Sequence, residues 1–175
     1  TYNAYLNPVY NTNGSATSNT EPYLIPGPLA TIGSGSITFS KATITSTNVA
    51  PSVTNQELSA FYTQVVGEPV VVTRISVDVA TSSGKIINVK LVDENRSTVA
   101  GPTDPSSTGI TATSTDTITF PVGTHKYTVK GDLISSAQWA TNASLAVKMD
   151  GSIITAKGGT TNLSITASPA SLLTL

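Results

Sequence analysis

Hydrophobic and polar positions alternate most cleanly in "PVVVTRISVDVA", residues 69–80. Val71, Thr73, Ile75, Val77 and Val79 fall on one side, and Val70, Val72, Arg74, Ser76 and Asp78 on the other. A period of two sends successive side chains to opposite faces, so this stretch reads as a strand with one buried face. "KIINVKLVD" repeats the pattern, with Ile87, Val89 and Leu91 set against Asn88 and Lys90, and the "SSGK" between them predicts a hairpin turn. Further strands are predicted at 36–45, 57–65, 97–100, 115–120, 126–133, 144–149, 152–156 and 162–167. Asp150-Gly151 and Gly158-Gly159 are read as turns that use the positive φ open to glycine. No 12-residue window carries a helical period, although "NQELSAF" and "DLISSAQWAT" could each begin a turn of helix.

Short strands punctuated by Gly, Pro, Asn and Ser every 8–12 residues are the pattern of a sandwich or barrel. The expected fold is all-β: an antiparallel Ig-like or jelly-roll-like sandwich of roughly nine strands spanning residues 32–167. Phe61 and Trp139 are its expected core anchors. The apolar "SPASLLTL" at 168–175 follows as a last strand or as a segment that docks on a neighbour.

The first 35 residues break the pattern. They hold one charge (Glu21), four prolines, five asparagines and four of the six tyrosines. Residues 1–31 therefore read as an extended arm in front of the sandwich. In "TYNAYL", Tyr2, Ala4 and Leu6 alternate with Asn3, Tyr5 and Asn7, and Pro8 would end any pairing. "EPYLIPGPLATI" reads as a connector stiffened by proline. An open sheet edge, or a groove left by a missing strand, offers unpaired N–H and C=O groups that such a chain can satisfy. The expected subunit contacts on the arm are Tyr2, Ala4, Tyr5, Leu6, Val9, Tyr10, Tyr23, Leu24 and Ile25.

Composition narrows the function further. Ser and Thr make up 51 of 175 residues while only 11% are charged, which suits a Thr- and Val-rich pleated surface better than a disordered chain. The net charge of −1 and the lack of any Lys/Arg cluster leave nothing to neutralise phosphates, so no nucleic-acid partner is expected. With zero cysteines there is no disulfide, no thiolate metal site and no cysteine nucleophile. No apolar run reaches the roughly 18 residues of a membrane span. The chain begins at Thr1 and carries no signal peptide, so it is read as a mature exported form.

Candidate chemistry is sparse. His125 is the single histidine and has no converging ligand in sequence, and G-x-S-x-G is absent. Asp93, Glu94, Asn95, Asp116, Asp132 and Asp150 could hold Ca²⁺ only if the fold gathered them, since no spacing matches a calcium loop. The reading is non-enzymatic, without cofactor or metal. Four sequons, at Asn13, Asn95, Asn142 and Asn162, are candidate N-glycosylation sites, and the Ser/Thr-rich surface could carry O-linked sugars. A Lys–Asn or Lys–Asp isopeptide bond would need a buried lysine, with Lys41 and Lys130 as the ones to inspect.

The phrases Gly67–Ile75 ("GEPVVVTRI"), "NVKLVD" at 88–93 and "FPVGTHKYTVKGD" at 120–132 resemble Ig-like β-sandwich repeats of prokaryotic surface-layer and adhesin-type proteins. More weakly, the chain resembles donor-strand-complemented pilus subunits. Pro121 and Val122 stand in reversed order against the surface-layer pattern. The resemblance covers about 33–167 and implies a fold and a cell-surface location, not a chemistry. Two further differences are that such modules usually stand in strings, and that here a long arm precedes the module. The expectation is an extracellular structural subunit of a filament or pilus, a head-to-tail helical homopolymer of identical subunits joined by donated arms. The alternatives are a surface-layer or adhesin module with the arm packed on its own domain, and a carbohydrate-binding sandwich.

Overall fold

The structure is a computed structural model, and it describes residues 2–5, 24–26, 33–44, 49–106, 110–134 and 139–175. The chain divides into two units, Thr1–Gly33 and Ser34–Leu175.

In the first unit, β1 (Tyr2–Tyr5) pairs antiparallel with β2 (Leu24–Pro26), with an irregularity between Tyr2 and Ala4. The segments read as a strand and as a stiff connector thus pair with each other.

The second unit is an all-β sandwich with thirteen strands among the described residues, against the roughly nine expected. They are β3 (Ser36–Lys41), β4 (Gln56–Val66), β5 (Val70–Thr81), β6 (Ile86–Val92), β7 (Thr98–Thr103), β8 (Thr111–Ser114), β9 (Ile118–Phe120), β10 (Gly123–Leu133), β11 (Leu145–Asp150), β12 (Thr155–Gly158), β13 (Ser164–Ile165), β14 (Ala167–Ser168) and β15 (Leu172–Thr174). Among the described residues there is no α-helix, and "NQELSAF" runs into β4. One sheet has the order β14-β3-β4-β10-β6-β7. The other is built around β5, with β12 and β11 along one side, β9 and β8 along the other, and β13 and β15 outermost.

Three expectations are corrected. The "SSGK" turn is not a hairpin, because β5 and β6 lie in different sheets and the turn carries the chain across the sandwich. The face assigned to 69–80 holds only in its second half. Ile75, Val77 and Val79 are buried, but at the start Val70 and Val72 are buried while Thr73 is exposed. The reason is a bulge: Ala156 pairs with Val72 and Thr155 with Arg74, so Thr73 is an extra residue and the alternation slips by one. The third correction concerns glycine. Gly151, Gly158 and Gly159 do not sit at positive φ, which falls instead on Asn162 in the turn between β12 and β13. Glycine serves there through the absence of a side chain, since a Cβ on Gly151 would strike the Pro169 carbonyl and one on Gly158 the Glu68 carboxylate.

The core joins the two sheets through aromatic rings. Phe39, Phe61 and Tyr127 come from one sheet and Phe120 from the other. Phe120 meets Tyr127 edge-on at 5.0 Å and Phe39 at 6.0 Å, while Phe61 stacks on Tyr127 at 5.8 Å. Such pairs add roughly 0.5–1.5 kcal/mol each beyond their buried area. Phe61 is a core anchor as expected. Trp139 is partly buried at the margin, its ring laid over Gly84 and its Nε1 donating to the Ile134 carbonyl at 2.9 Å.

One margin of the sandwich is closed by a single segment that belongs to both sheets. Ser164–Ile165 pairs with β12, and Ala167–Ser168 pairs in parallel with β3. The "SPASLLTL" stretch continues from there into β15, the last strand, on β11.

Candidate functional site: sheet edges and the Glu68 clasp

Glu68 lies between Gly67 and Pro69 at the entrance to β5 and is almost fully buried, at 8% exposure. Its carboxylate accepts the backbone N–H groups of Thr160 (2.7 Å), Thr161 (2.9 Å) and Gly35 (3.3 Å), and the Thr161 hydroxyl. These donors hold the carboxyl well below its ordinary value, at about 2, with the Thr161 hydroxyl contributing most and burial opposing. The clasp ties the start of the sandwich, just before β3, to the turn between β12 and β13. Sequence reasoning placed Glu68 only inside a strand phrase. The available signal was a lone acid flanked by Gly67 and Pro69 in a stretch of valines.

The other acids singled out in the sequence accept mainly from backbone N–H groups. Asp93 accepts from Ser97 N–H at 2.8 Å, and Glu94 from Lys126 N–H at 2.7 Å. Asp150 caps the 3-10 turn Gly151–Ile153 through Ser152. Asp116 takes the Gly101 N–H and the Ser114 hydroxyl, which lower its pKa in that order. Asp132 takes the Asn55 N–H and the Asn88 side chain, lowering its pKa likewise. The structure therefore does not gather the Ca²⁺ candidates, and among the described residues no three metal-binding side chains converge. His125 lies half-buried with Nδ1 3.5 Å from the exposed Glu94. Lys41 is exposed and Lys130 half-buried, so neither meets the requirement for a buried isopeptide lysine.

Of the arm residues, Tyr2, Ala4 and Tyr5 stand on β1 and Leu24 and Ile25 on β2, whereas Leu6, Val9, Tyr10 and Tyr23 lie outside the described residues. Among the sequons, Asn95, Asn142 and Asn162 are all exposed in turns or loops, and Asn13 lies outside the described residues.

A cleft between the sheets holds about 20 Å³. It is lined by apolar side chains such as Val77, Leu91, Ala112 and Val129, and it is large enough for about one water. It offers no groove for a missing strand. What remains for recognition is the outline of the sheets. β7, β14, β13, β15, β8 and β9 are the edge strands of the sandwich. Compared with known proteins, the chain matches no family model, no curated protein and no solved structure.

Proposed function

We propose that the chain is a structural subunit of an extracellular filament, polymerising head to tail as each arm adds to a sheet of the next copy. The supporting observation is the division into an arm, Thr1–Gly33, with two short strands of its own, and a sandwich, Ser34–Leu175, with its own core. The cleft between the sheets holds about one water, and the buried Glu68 carboxylate is taken up by backbone N–H groups and the Thr161 hydroxyl, which favours a scaffold over a catalyst. Ser/Thr-rich outward faces with exposed sequons suit a cell-surface location.

Because the cleft is small, donation in this reading means extending an edge rather than filling a groove. Electron microscopy of the purified chain tests it. Fibres are expected from the intact chain, and a folded monomer from a variant lacking residues 1–31. Monomeric intact protein, or fibres unchanged by the truncation, would reject it.

A second reading has one observation in its favour. The pairing of β1 with β2 satisfies arm hydrogen bonds within one copy, as a self-contained surface-layer or adhesin module would require. Discrete particles under the same microscope would support it.

A further inference from the structure

The geometry points to β15 as the edge that accepts the arm, and to β1 of a second copy as the strand that occupies it. The inference rests on the polymer reading and names the acceptor within it.

The edges of the sandwich are unequal. β7 contains Pro102 beside Gly101, and a proline has no N–H to offer a partner. β13 and β14 are two residues each, and β14 runs into Pro169. β9 is three residues and runs into Pro121. β8 is partly used, because Ser106 N–H donates to the Thr111 carbonyl at 3.1 Å. β15 is as short as β9, but Leu172–Thr174 carries no charge and no proline and runs into none, and its outer side has no partner among the described residues.

Its register also fixes which backbone groups are free. Leu175 N–H donates to Val147 and Gly151 N–H to Ser171, while Leu173 stands opposite Met149. Hydrogen-bonded and non-bonded pairs alternate in an antiparallel ladder. Leu172 and Thr174 therefore turn two N–H and two C=O groups away from β11. Leu172 is 48% exposed and gives an incoming aromatic strand an apolar neighbour.

On the arm, β2 ends on Pro26, whereas every residue of β1 has an N–H. β1 is thus the better donor. Joined in this way, the sheet runs β5-β11-β15 of one copy into β1-β2 of the next, both uncharged where they meet.

The native chain has no cysteine, so cross-linking can read the contact directly. The pair Ala4→Cys with Thr174→Cys, assembled and then oxidised, should give a ladder at multiples of 17.9 kDa on a non-reducing gel. Ala4→Cys with Thr113→Cys on β8, or with Thr98→Cys on β7, should not. Fibres that ladder only through Thr113 or Thr98, or through none of the three, overturn β15 as acceptor and leave the polymer reading standing. Absence of fibres from the intact chain removes both. As a second variant, Thr174→Pro deletes an N–H that β15 does not use within its own sheet. Loss of polymer at unchanged melting temperature is expected, and undiminished polymer overturns the assignment.

Discussion

Glu68 and Thr161 are joined side chain to side chain across 93 residues of sequence, and this contact fastens the turn between β12 and β13 to the entrance of β5. Gly158 makes the approach feasible, because a methyl group there would occupy the position of the Glu68 carboxylate. Gly158→Ala and Glu68→Gln should therefore damage the same place. Glutamine offers an NH₂ where the site supplies only donors, leaving buried N–H groups unmatched. Each variant should melt several degrees below the parent, and the double variant should melt little lower than the worse single one. Additive losses would show that the two residues act separately.

The same carboxyl sets a pH dependence. It titrates near 4.5 when unfolded and near 2 when folded, so its contribution is complete above about 4.5 and fades as pH falls towards 2. Asp116 and Asp132, also lowered, act in the same sense on the acid side. Thermal melts from pH 7 to pH 2 should show stability dropping below pH 4.5, with a shallower drop in Glu68→Gln. Equal slopes in parent and variant would refute the assignment.

Trp139 covers Gly84, which sits at φ +75 between β5 and β6. A side chain at 84 meets two obstacles, the left-handed backbone and the indole ring. The backbone alone costs roughly 1–2 kcal/mol for alanine. Gly84→Ala is expected to destabilise by about 2 kcal/mol or more and to shift the emission of the chain's one tryptophan to the red. Unshifted emission would mean that the ring does not rest on this turn.

Ser59 and Thr63 project fully buried hydroxyls from β4 into the interior without a hydrogen-bond partner among the described residues. An unsatisfied buried hydroxyl carries a desolvation cost of about 1–3 kcal/mol. Thr63→Val keeps the shape and removes the hydroxyl, so a gain of about 1 kcal/mol in chemical denaturation is expected. A loss would imply that the hydroxyl is satisfied in solution by trapped water.

The strands themselves could be read from alternation, because a half-buried sheet imposes a period of two on every sequence that forms it. β4, β6 and β10 fall within a few residues of expectation. What alternation does not carry is phase through a bulge or choice of partner. Thr73 looks like one more member of a regular strand, yet it is the residue at which β5 changes face. Ser82–Lys85 has hairpin chemistry, but a turn can join strands in opposite sheets as well as neighbours in one. Gly158 looked like a turn residue because glycine commonly supplies positive φ, and only the facing carboxylate reveals its need for space. On the arm, pairing of β1 with β2 depends on contact across some twenty intervening residues, which no local pattern encodes.

The segment that joins β12 on one side of Thr166 and β3 on the other binds the two layers into a single cooperative block. Opening of either sheet along that margin pulls on the strand held by the other, so the two edges are expected to open together. Deuterium should enter the bonded amides on both sides of Thr166 at one common rate, that of whole-domain unfolding.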